Sequence, residues 1–198
     1  IVTNGAGNFA TPLHRFYRLR QHKTQLAPTS GAMGYGVPAA VAAKALQPGR
    51  EVMAFAGDGC FMMNGQEFAT MMQYDLPVIV VVVDNGMYGT IRMYQERTYP
   101  HRVSGTALTN PDFARFIEAF GGFGEVVEKT DELVPAVQRA LASGKPAIVE
   151  IRMNPEQVTN RATIADLRAQ SGKAAPAASL PAKAKRGPAP RRSGPRPR

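Results

Sequence analysis

Two polar turns in this sequence carry residue types suited to binding a divalent cation. Asp58 lies between Gly57 and Gly59 after one apolar run, and Asn85 follows a second apolar run, 27 positions after Asp58. Carboxylate and amide oxygens suit a hard cation such as Mg²⁺, which completes its octahedral shell from phosphates and water. Glycines let the backbone approach a phosphate, and consecutive N–H groups can form an anion cradle. The residues alone therefore favour a metal-bridged diphosphate site.

Buried strands must position both turns. The runs 52–56 (VMAFA) and 78–83 (VIVVVV) are typical of parallel strands that are covered on both faces. Ligands of open α/β sheets bind beyond the carboxyl ends of the strands, so we expect Asp58 and Asn85 to lie side by side at one edge. The alternative is two ordinary strand-to-helix turns, since Gly and Asp favour turns for their own reasons.

The remaining elements alternate between strand and helix, which predicts an α/β fold with a parallel sheet and helices on both faces. A loop-rich region is expected at 90–111, followed by a helix to residue 120 that Asn110, Pro111 and Asp112 cap. Further strands are predicted at 1–4, 124–128 and 147–153, and further helices at 8–19, 29–46, 62–74 and 131–143.

Length and composition limit the class of protein. The chain has 198 residues and 44% hydrophobic content, enough for one core-bearing domain. A single Cys excludes an internal disulfide and fits a reducing cytoplasm, while no apolar run reaches the ~18 residues that span a membrane. The start at Ile1 is neither an initiator Met nor a signal peptide, which suggests a fragment or a missing upstream part.

The net charge of +9 is concentrated at the C-terminal end. Eight basic and no acidic residues lie within 172–198, so the remainder carries a charge of about +1. We predict a domain at 1–160, a linker at 161–171 and a disordered basic Pro/Ala-rich tail at 172–198. A nucleic-acid-binding arm is disfavoured, because the tail lacks interleaved aromatic residues.

Several motifs together resemble the thiamine diphosphate-dependent enzymes, specifically their C-terminal diphosphate-binding domain. Besides the two turns, the stretches 31–38 (GAMGYGVP), 66–70 (QEFAT) and 85–92 (NGMYGTIR) are similar to the acetolactate synthase and benzoylformate decarboxylase group. The likeness covers roughly 1–155. Two departures stand out: Asp84 replaces the usual first Asn of the second turn, and Cys60 lies where Ser is common.

The resemblance implies a role for each matching residue. The metal ligands would be Asp58, Asn85 and the carbonyl of Met87. The carbonyl of Gly31 would meet the cofactor's exocyclic amine, and Met33 would bend the cofactor. The expected cofactor-binding residues are Gly31, Ala32, Met33, Gly57, Asp58, Gly59, Cys60, Asn85, Met87, Tyr88 and Gly89.

The resemblance also implies an activity. With thiamine diphosphate and Mg²⁺, such a domain serves a lyase or transferase acting on a 2-oxo acid, in a homodimer or tetramer. The catalytic glutamate lies on a separate pyrimidine-binding domain, so no catalytic residue is assigned to this chain. The alternative is a noncatalytic domain that acts as an interaction module through its basic tail. A dinucleotide oxidoreductase is disfavoured, because the glycines at 31–36 have the wrong spacing.

Overall fold

The computed structural model describes residues 1–171, and the sheet within them has six strands, all parallel. The predicted tail at 172–198 lies outside the described residues. The strands are β1 (Val2–Asn4), β2 (Gln25–Leu26), β3 (Met53–Gly57), β4 (Ile79–Asp84), β5 (Phe123–Val127) and β6 (Ala147–Arg152). Their order across the sheet is β2-β1-β3-β4-β6-β5, which places β3 and β4 side by side near the centre.

Helices cover both faces of this sheet, so the predicted α/β fold is confirmed. The helices are α1 (Thr11–Phe16), α2 (Gly36–Leu46), α3 (Asp58–Phe61), α4 (Phe68–Gln73), α5 (Gly89–Thr98), α6 (Phe113–Glu118), α7 (Leu133–Ser143) and α8 (Ile164–Ser171). None of the helices in residues 1–171 has the length and apolar content needed to cross a membrane.

The apolar run 78–83, which leads into and forms most of β4, shows why both faces are covered. Val78, Val80 and Val82 belong to one apolar cluster, whereas Ile79 and Val81 belong to the other. Successive side chains of a strand point to opposite faces, so an unbroken apolar run requires partners on both sides.

An aromatic cluster holds α3 against the sheet. Phe61, Phe68 and Phe113 are fully buried, and the rings of Phe61 and Phe113 meet edge to face with centroids 5.3 Å apart. Burying a side chain of this size stabilises the fold by about 1.5–3 kcal/mol. Because α3 begins at Asp58, this packing also fixes the position of the first polar turn.

Two predicted helices are shorter than expected. The helix predicted at 8–19 ends at Phe16, because Tyr17 is extended and no residue of α1 is buried to stabilise another turn. The helix predicted at 29–46 begins only at Gly36. Gly31 and Gly34 adopt positive φ angles of 67° and 87°, which a right-handed helix cannot contain.

Two other regions differ more strongly from the prediction. The segment 62–74 is not one helix but a turn, a short 3-10 helix at Gly65–Glu67 and then α4. The region 90–111, predicted to be loop-rich, contains most of α5. Buried side chains on one face of α5, Met93 and Glu96, stabilise it through contacts with distant residues.

The segment 161–171, predicted to be a linker, instead contains α8. Ile164 and Leu167 are at most 2% exposed and pack with Met93 of α5 in a separate apolar cluster. The boundary at residue 160 is therefore wrong as a structural division, because α8 is docked on the domain.

Candidate cofactor and metal site

The two polar turns leave neighbouring strands at the same edge of the sheet. β3 and β4 pair in register so that Gly57 lies opposite Val83. Asp58 opens α3 directly after β3, and Asn85 directly follows β4. The crevice between these turns lies beyond the carboxyl ends of two parallel strands, where α/β sheets place their ligands.

Asp58 and Asn85 share one hydrogen-bond donor. The backbone N–H of Met87 donates to Oδ2 of Asp58 and to Oδ1 of Asn85, with N···O distances of 3.2 Å each. The N–H of Gly59 donates to Oδ1 of Asp58 at 2.8 Å. The prediction that the two turns meet in space is therefore confirmed.

A cavity of about 240 Å³ opens beside these oxygens. Its lining includes ten of the eleven residues expected to bind the cofactor; Ala32, although described, is not one of them. The ten are Gly31, Met33, Gly57, Asp58, Gly59, Cys60, Asn85, Met87, Tyr88 and Gly89.

Glycines at both turns of the lining have no room for a side chain. A Cβ on Gly59 would lie 2.5 Å from the ring of Tyr88, and a Cβ on Gly89 would lie 2.9 Å from Nδ2 of Asn85. Backbone rather than side chain therefore lines the cavity at both turns. An anion cradle built from N–H groups requires this close approach of the backbone.

The turn before α2 brings Met33 to the same cavity. Two hydrogen bonds at Gly34 hold the conformation of this turn. The N–H of Gly34 donates to Sγ of Cys60 at 3.0 Å, and Nδ2 of Asn64 donates to the carbonyl of Gly34 at 2.9 Å. Burial raises the pKa of the Cys60 thiol, which keeps it protonated at neutral pH. The side chain of Cys60 thus supports the turn, in addition to the cofactor-binding role that the resemblance implies.

The departure at Asp84 places a second carboxylate beside Asp58. One amide nitrogen, Nδ2 of Asn110, donates to Oδ2 of Asp58 and to Oδ1 of Asp84, at 2.8 Å in both cases. Burial raises the pKa of Asp58; the hydrogen bonds from Asn110 and Gly59 oppose this rise, and the neighbouring Asp84 adds to it.

Sequence reasoning missed the role of Asn110. That residue was expected to cap a helix together with Pro111 and Asp112, but it is the Asp112 carboxylate that caps α6, accepting from the N–H of Arg115 at 2.9 Å. The available signal was Asp84 itself, because a second acid beside a buried acid needs a donor. The donor is 26 residues away along the chain, so only the fold reveals it.

Asn8 is a second residue that the sequence did not single out. Its N–H donates to Oγ1 of Thr90 at 3.0 Å, and its side-chain Nδ2 donates to the carbonyl of Val158 at 2.8 Å. Asn8 and Thr90 both line the cavity. These bonds therefore join three segments at one point: the loop after β1, the start of α5 and the segment before α8.

The donor atoms at this site fit a hard cation. Asp58 and Asn85 supply a carboxylate and an amide oxygen, and residues 1–171 contain no group of three or more His, Cys, Asp or Glu able to hold a metal. Residues 1–171 therefore form no cluster of His and Cys of the kind that zinc prefers. An all-oxygen set is the one that Mg²⁺ uses.

A family model identifies the class of protein to which this fold and site belong. The model described as thiamine pyrophosphate enzyme, C-terminal TPP binding domain, matches residues 5–151. The chain belongs to this family, whose members depend on thiamine diphosphate (the same molecule as TPP), and the resemblance drawn from the motifs is confirmed.

Curated relatives point to one branch of the family. The chain is 32% identical over 159 residues to a probable acetolactate synthase large subunit from Methanocaldococcus jannaschii, covering 79% of this chain and 27% of the relative. It is 38% identical over 125 residues to the acetolactate synthase isozyme 2 large subunit of Escherichia coli K12, covering 63% of this chain and 23% of the relative. The chain thus spans about a quarter of the length of these relatives.

Solved structures show the same fold. Benzoylformate decarboxylase from Polynucleobacter necessarius superposes with a TM-score of 0.70 at 28% identity, covering 79% of this chain and 30% of that one. A 4-hydroxybenzoylformate decarboxylase from Rhodococcus jostii RHA1, described as thiamine diphosphate-dependent, gives 0.72 at 28% identity, covering 78% and 29%.

Proposed function

We propose that this chain is the diphosphate- and Mg²⁺-binding domain of a thiamine diphosphate-dependent lyase or transferase that acts on a 2-oxo acid. The observation that carries the proposal is the convergence of Asp58 and Asn85 on the N–H of Met87, beside a cavity of about 240 Å³. The acetolactate synthases and benzoylformate decarboxylases among its relatives support the substrate class.

The metal would be held by three oxygen donors of this chain. Asp58 offers its carboxylate, Asn85 its side-chain amide oxygen and Met87 its backbone carbonyl. A carboxylate has about four lone-pair positions, and Asp58 uses three of them for Gly59, Met87 and Asn110, which leaves room for one cation. Water and the diphosphate would complete the octahedral shell.

The glycine turns and the residues before α2 would hold the rest of the cofactor. The backbone N–H groups of Cys60 and Gly89 would donate to the diphosphate, with Gly59 and Tyr88 beside them in the lining. Side chains are sterically excluded at Gly59 and Gly89. Gly31 and Met33 would orient the pyrimidine and bend the molecule. When bound, thiamine diphosphate supplies the electron sink for breaking or forming a carbon–carbon bond beside a 2-oxo group.

A complete active site requires a pyrimidine-binding domain that carries the catalytic glutamate. We assign that domain to another segment or subunit of the enzyme, since the chain covers about a quarter of the length of its relatives. A homodimer or tetramer in the cytoplasm is part of the same proposal. Adding the pyrimidine-binding portion should confer turnover of pyruvate, and Asp58→Ala should abolish it.

The direct test is a titration of the chain with thiamine diphosphate by calorimetry, in Mg²⁺ and in EDTA. Thiamine diphosphate should bind the chain more tightly in Mg²⁺ than in EDTA. In Asp58→Ala and Asn85→Ala, this gain in affinity should be at least tenfold smaller. Asp131→Ala removes an exposed carboxylate from the 3-10 helix before α7 and should change nothing. Unchanged Mg²⁺ dependence in a folded Asp58→Ala chain would refute the proposal.

A further inference from the structure

Asn110 holds two carboxylates with one amide group. Its Nδ2 lies 2.8 Å from Oδ2 of Asp58 and 2.8 Å from Oδ1 of Asp84. An amide nitrogen carries two hydrogens, so each carboxylate receives one. The nitrogen must face both acids, because ionised carboxylates only accept hydrogen bonds.

Hydrogen bonds fix the backbone on both sides of Asn110, either to the polar turn that contains Asn85 or to the sheet. Before it, the N–H of Leu108 donates to the carbonyl of Gly86 at 2.9 Å, and the N–H of Tyr88 donates to the carbonyl of Thr106 at 2.9 Å. After it, the buried carboxylate of Glu150 accepts from the N–H of Phe113 at 2.9 Å. The amide of Asn110 is therefore positioned before any ligand arrives.

Within residues 1–171, the two acids have no cationic partner. The ion pairs within residues 1–171 include neither Asp58 nor Asp84. Backbone N–H groups serve each acid separately: Gly59 and Met87 bond Asp58, and Gly86 bonds Asp84. Among the hydrogen-bond donors within residues 1–171, only Asn110 bonds both acids, and its amide lies between the two carboxylates.

We propose that Asn110 is a positioning residue that fixes the Asp58 carboxylate for the cation and keeps Asp84 out of the ligand set. The proposal rests on the function proposed above. Asp84 creates the need for this bridge, since a neutral Asn at position 84 would not repel Asp58. Asn110 acts through Asp58 and does not touch the metal.

The test is a double-mutant cycle with Asn110→Ala and Asp84→Asn, measured as Mg²⁺ affinity in the presence of saturating thiamine diphosphate. Loss of a residue that orients a metal ligand typically weakens metal binding by about 10–100-fold. We expect at least a tenfold loss for Asn110→Ala alone and less than threefold in the Asp84→Asn background. Asn154→Ala, an exposed Asn in a turn, serves as the matched control.

The ratio of Mg²⁺ to Ca²⁺ affinity separates positioning from a general structural role. Mg²⁺ demands near-ideal octahedral geometry, whereas Ca²⁺ tolerates irregular sites. Asn110→Ala should therefore weaken Mg²⁺ more than Ca²⁺, and Asp84→Asn should restore the ratio. If circular dichroism shows that Asn110→Ala is unfolded, Asn110→Ser, which keeps one donor hydrogen, replaces it in the cycle.

The outcomes distinguish this inference from the proposed function. If the unmodified chain shows no Mg²⁺-dependent binding, the proposed function fails and takes this inference with it. If the unmodified chain binds and Asp58→Ala does not, but Asn110→Ala binds Mg²⁺ normally, only this inference is overturned. An equal effect of Asn110→Ala in both backgrounds would also overturn it, because Asp84 would then be irrelevant.

Discussion

Two buried acids in this domain, Glu96 and Asp58, have different kinds of hydrogen-bond partner. The side chain of Glu96 on α5 is fully buried and accepts from two arginines: Nε of Arg92 at 2.9 Å, and Nε and a terminal nitrogen of Arg168 at 2.9 and 2.8 Å. Asp58 is 3% exposed and, with its neighbour Asp84, receives only amide N–H groups.

The pKa values follow the same contrast. Burial by itself would raise the pKa of Glu96, but the hydrogen bonds and charge of Arg168, with the N–H of His101 and with Arg92, lower it to about 2. Burial raises the pKa of Asp58, and Asp84 adds to the rise. Glu96 has its counter-charges within the chain, whereas Asp58 has no cationic partner within residues 1–171 and, in the proposed function, would receive one from a bound metal ion.

The contrast teaches how structural and binding acids differ. A buried charge is tolerated only if it is paired and hydrogen-bonded. Pairing Glu96 with Arg168 joins α5 to α8 and so stabilises the fold. Asp58 has no cationic partner among the described residues, which costs stability in the free chain; in the proposed function, binding of the metal ion would offset that cost.

Removing each charge without changing side-chain shape gives the largest expected difference. Glu96→Gln should lower the free energy of unfolding by about 3 kcal/mol, because two arginines lose their partner. Asp58→Asn should lower it by only about 1 kcal/mol, because the repulsion with Asp84 disappears and offsets part of the hydrogen bonding lost where the amide NH₂ faces an N–H donor. Urea denaturation without metal measures both, and equal losses would contradict the contrast.

Acid titration should separate the two groups by sign. The folded pKa of Glu96 is about 2 against an ordinary 4.5, so its contribution is full above about pH 4.5 and disappears as pH falls toward 2. That shift corresponds to roughly 3 kcal/mol, at 1.36 kcal/mol per unit. The contribution of Asp58 has the opposite sign. Because its pKa is raised in the folded state, Asp58 stabilises the fold at low pH, and this stabilisation is lost as pH rises.

The free energy of unfolding, measured in urea between pH 2 and pH 7, tests the sign. The unmodified chain should lose stability on acidification more steeply than Glu96→Gln, because the variant has no carboxylate to protonate. Identical slopes for the two proteins would show that Glu96 does not titrate abnormally.

A smaller loss than that of Glu96→Gln is expected for the docking of α8. Arg168→Met should lower the free energy of unfolding by about 2 kcal/mol. This loss is smaller than that of Glu96→Gln, because Arg92 still pairs with Glu96 and the Arg168 side chain is 30% exposed. Amide hydrogen exchange should accelerate in Ile164–Ser171 and not in β4. Arg161→Met, at an exposed position, is the matched control. Equal exchange rates in the two variants would show that the Arg168–Glu96 pair does not hold α8 on the domain.

Local signals account for what was predicted correctly. The apolar runs that became β3 and β4 end at Asp58 and Asn85, and parallel pairing brings such ends together. Helix limits were less predictable: α5 has few apolar residues, and its stability depends on Arg168, which is 72 residues from Glu96. No local pattern reveals that partner.

The sequence by itself determined the class of fold and the residue types of the candidate site, because strand burial and glycine turns are encoded over short stretches. Only the tertiary structure decided that Asp58 and Asp84 share the amide of Asn110 and that Glu96 receives its arginine from α8. These pairings depend on which distant segments the fold brings within hydrogen-bonding distance. The spacing of residues along the chain does not reveal that proximity.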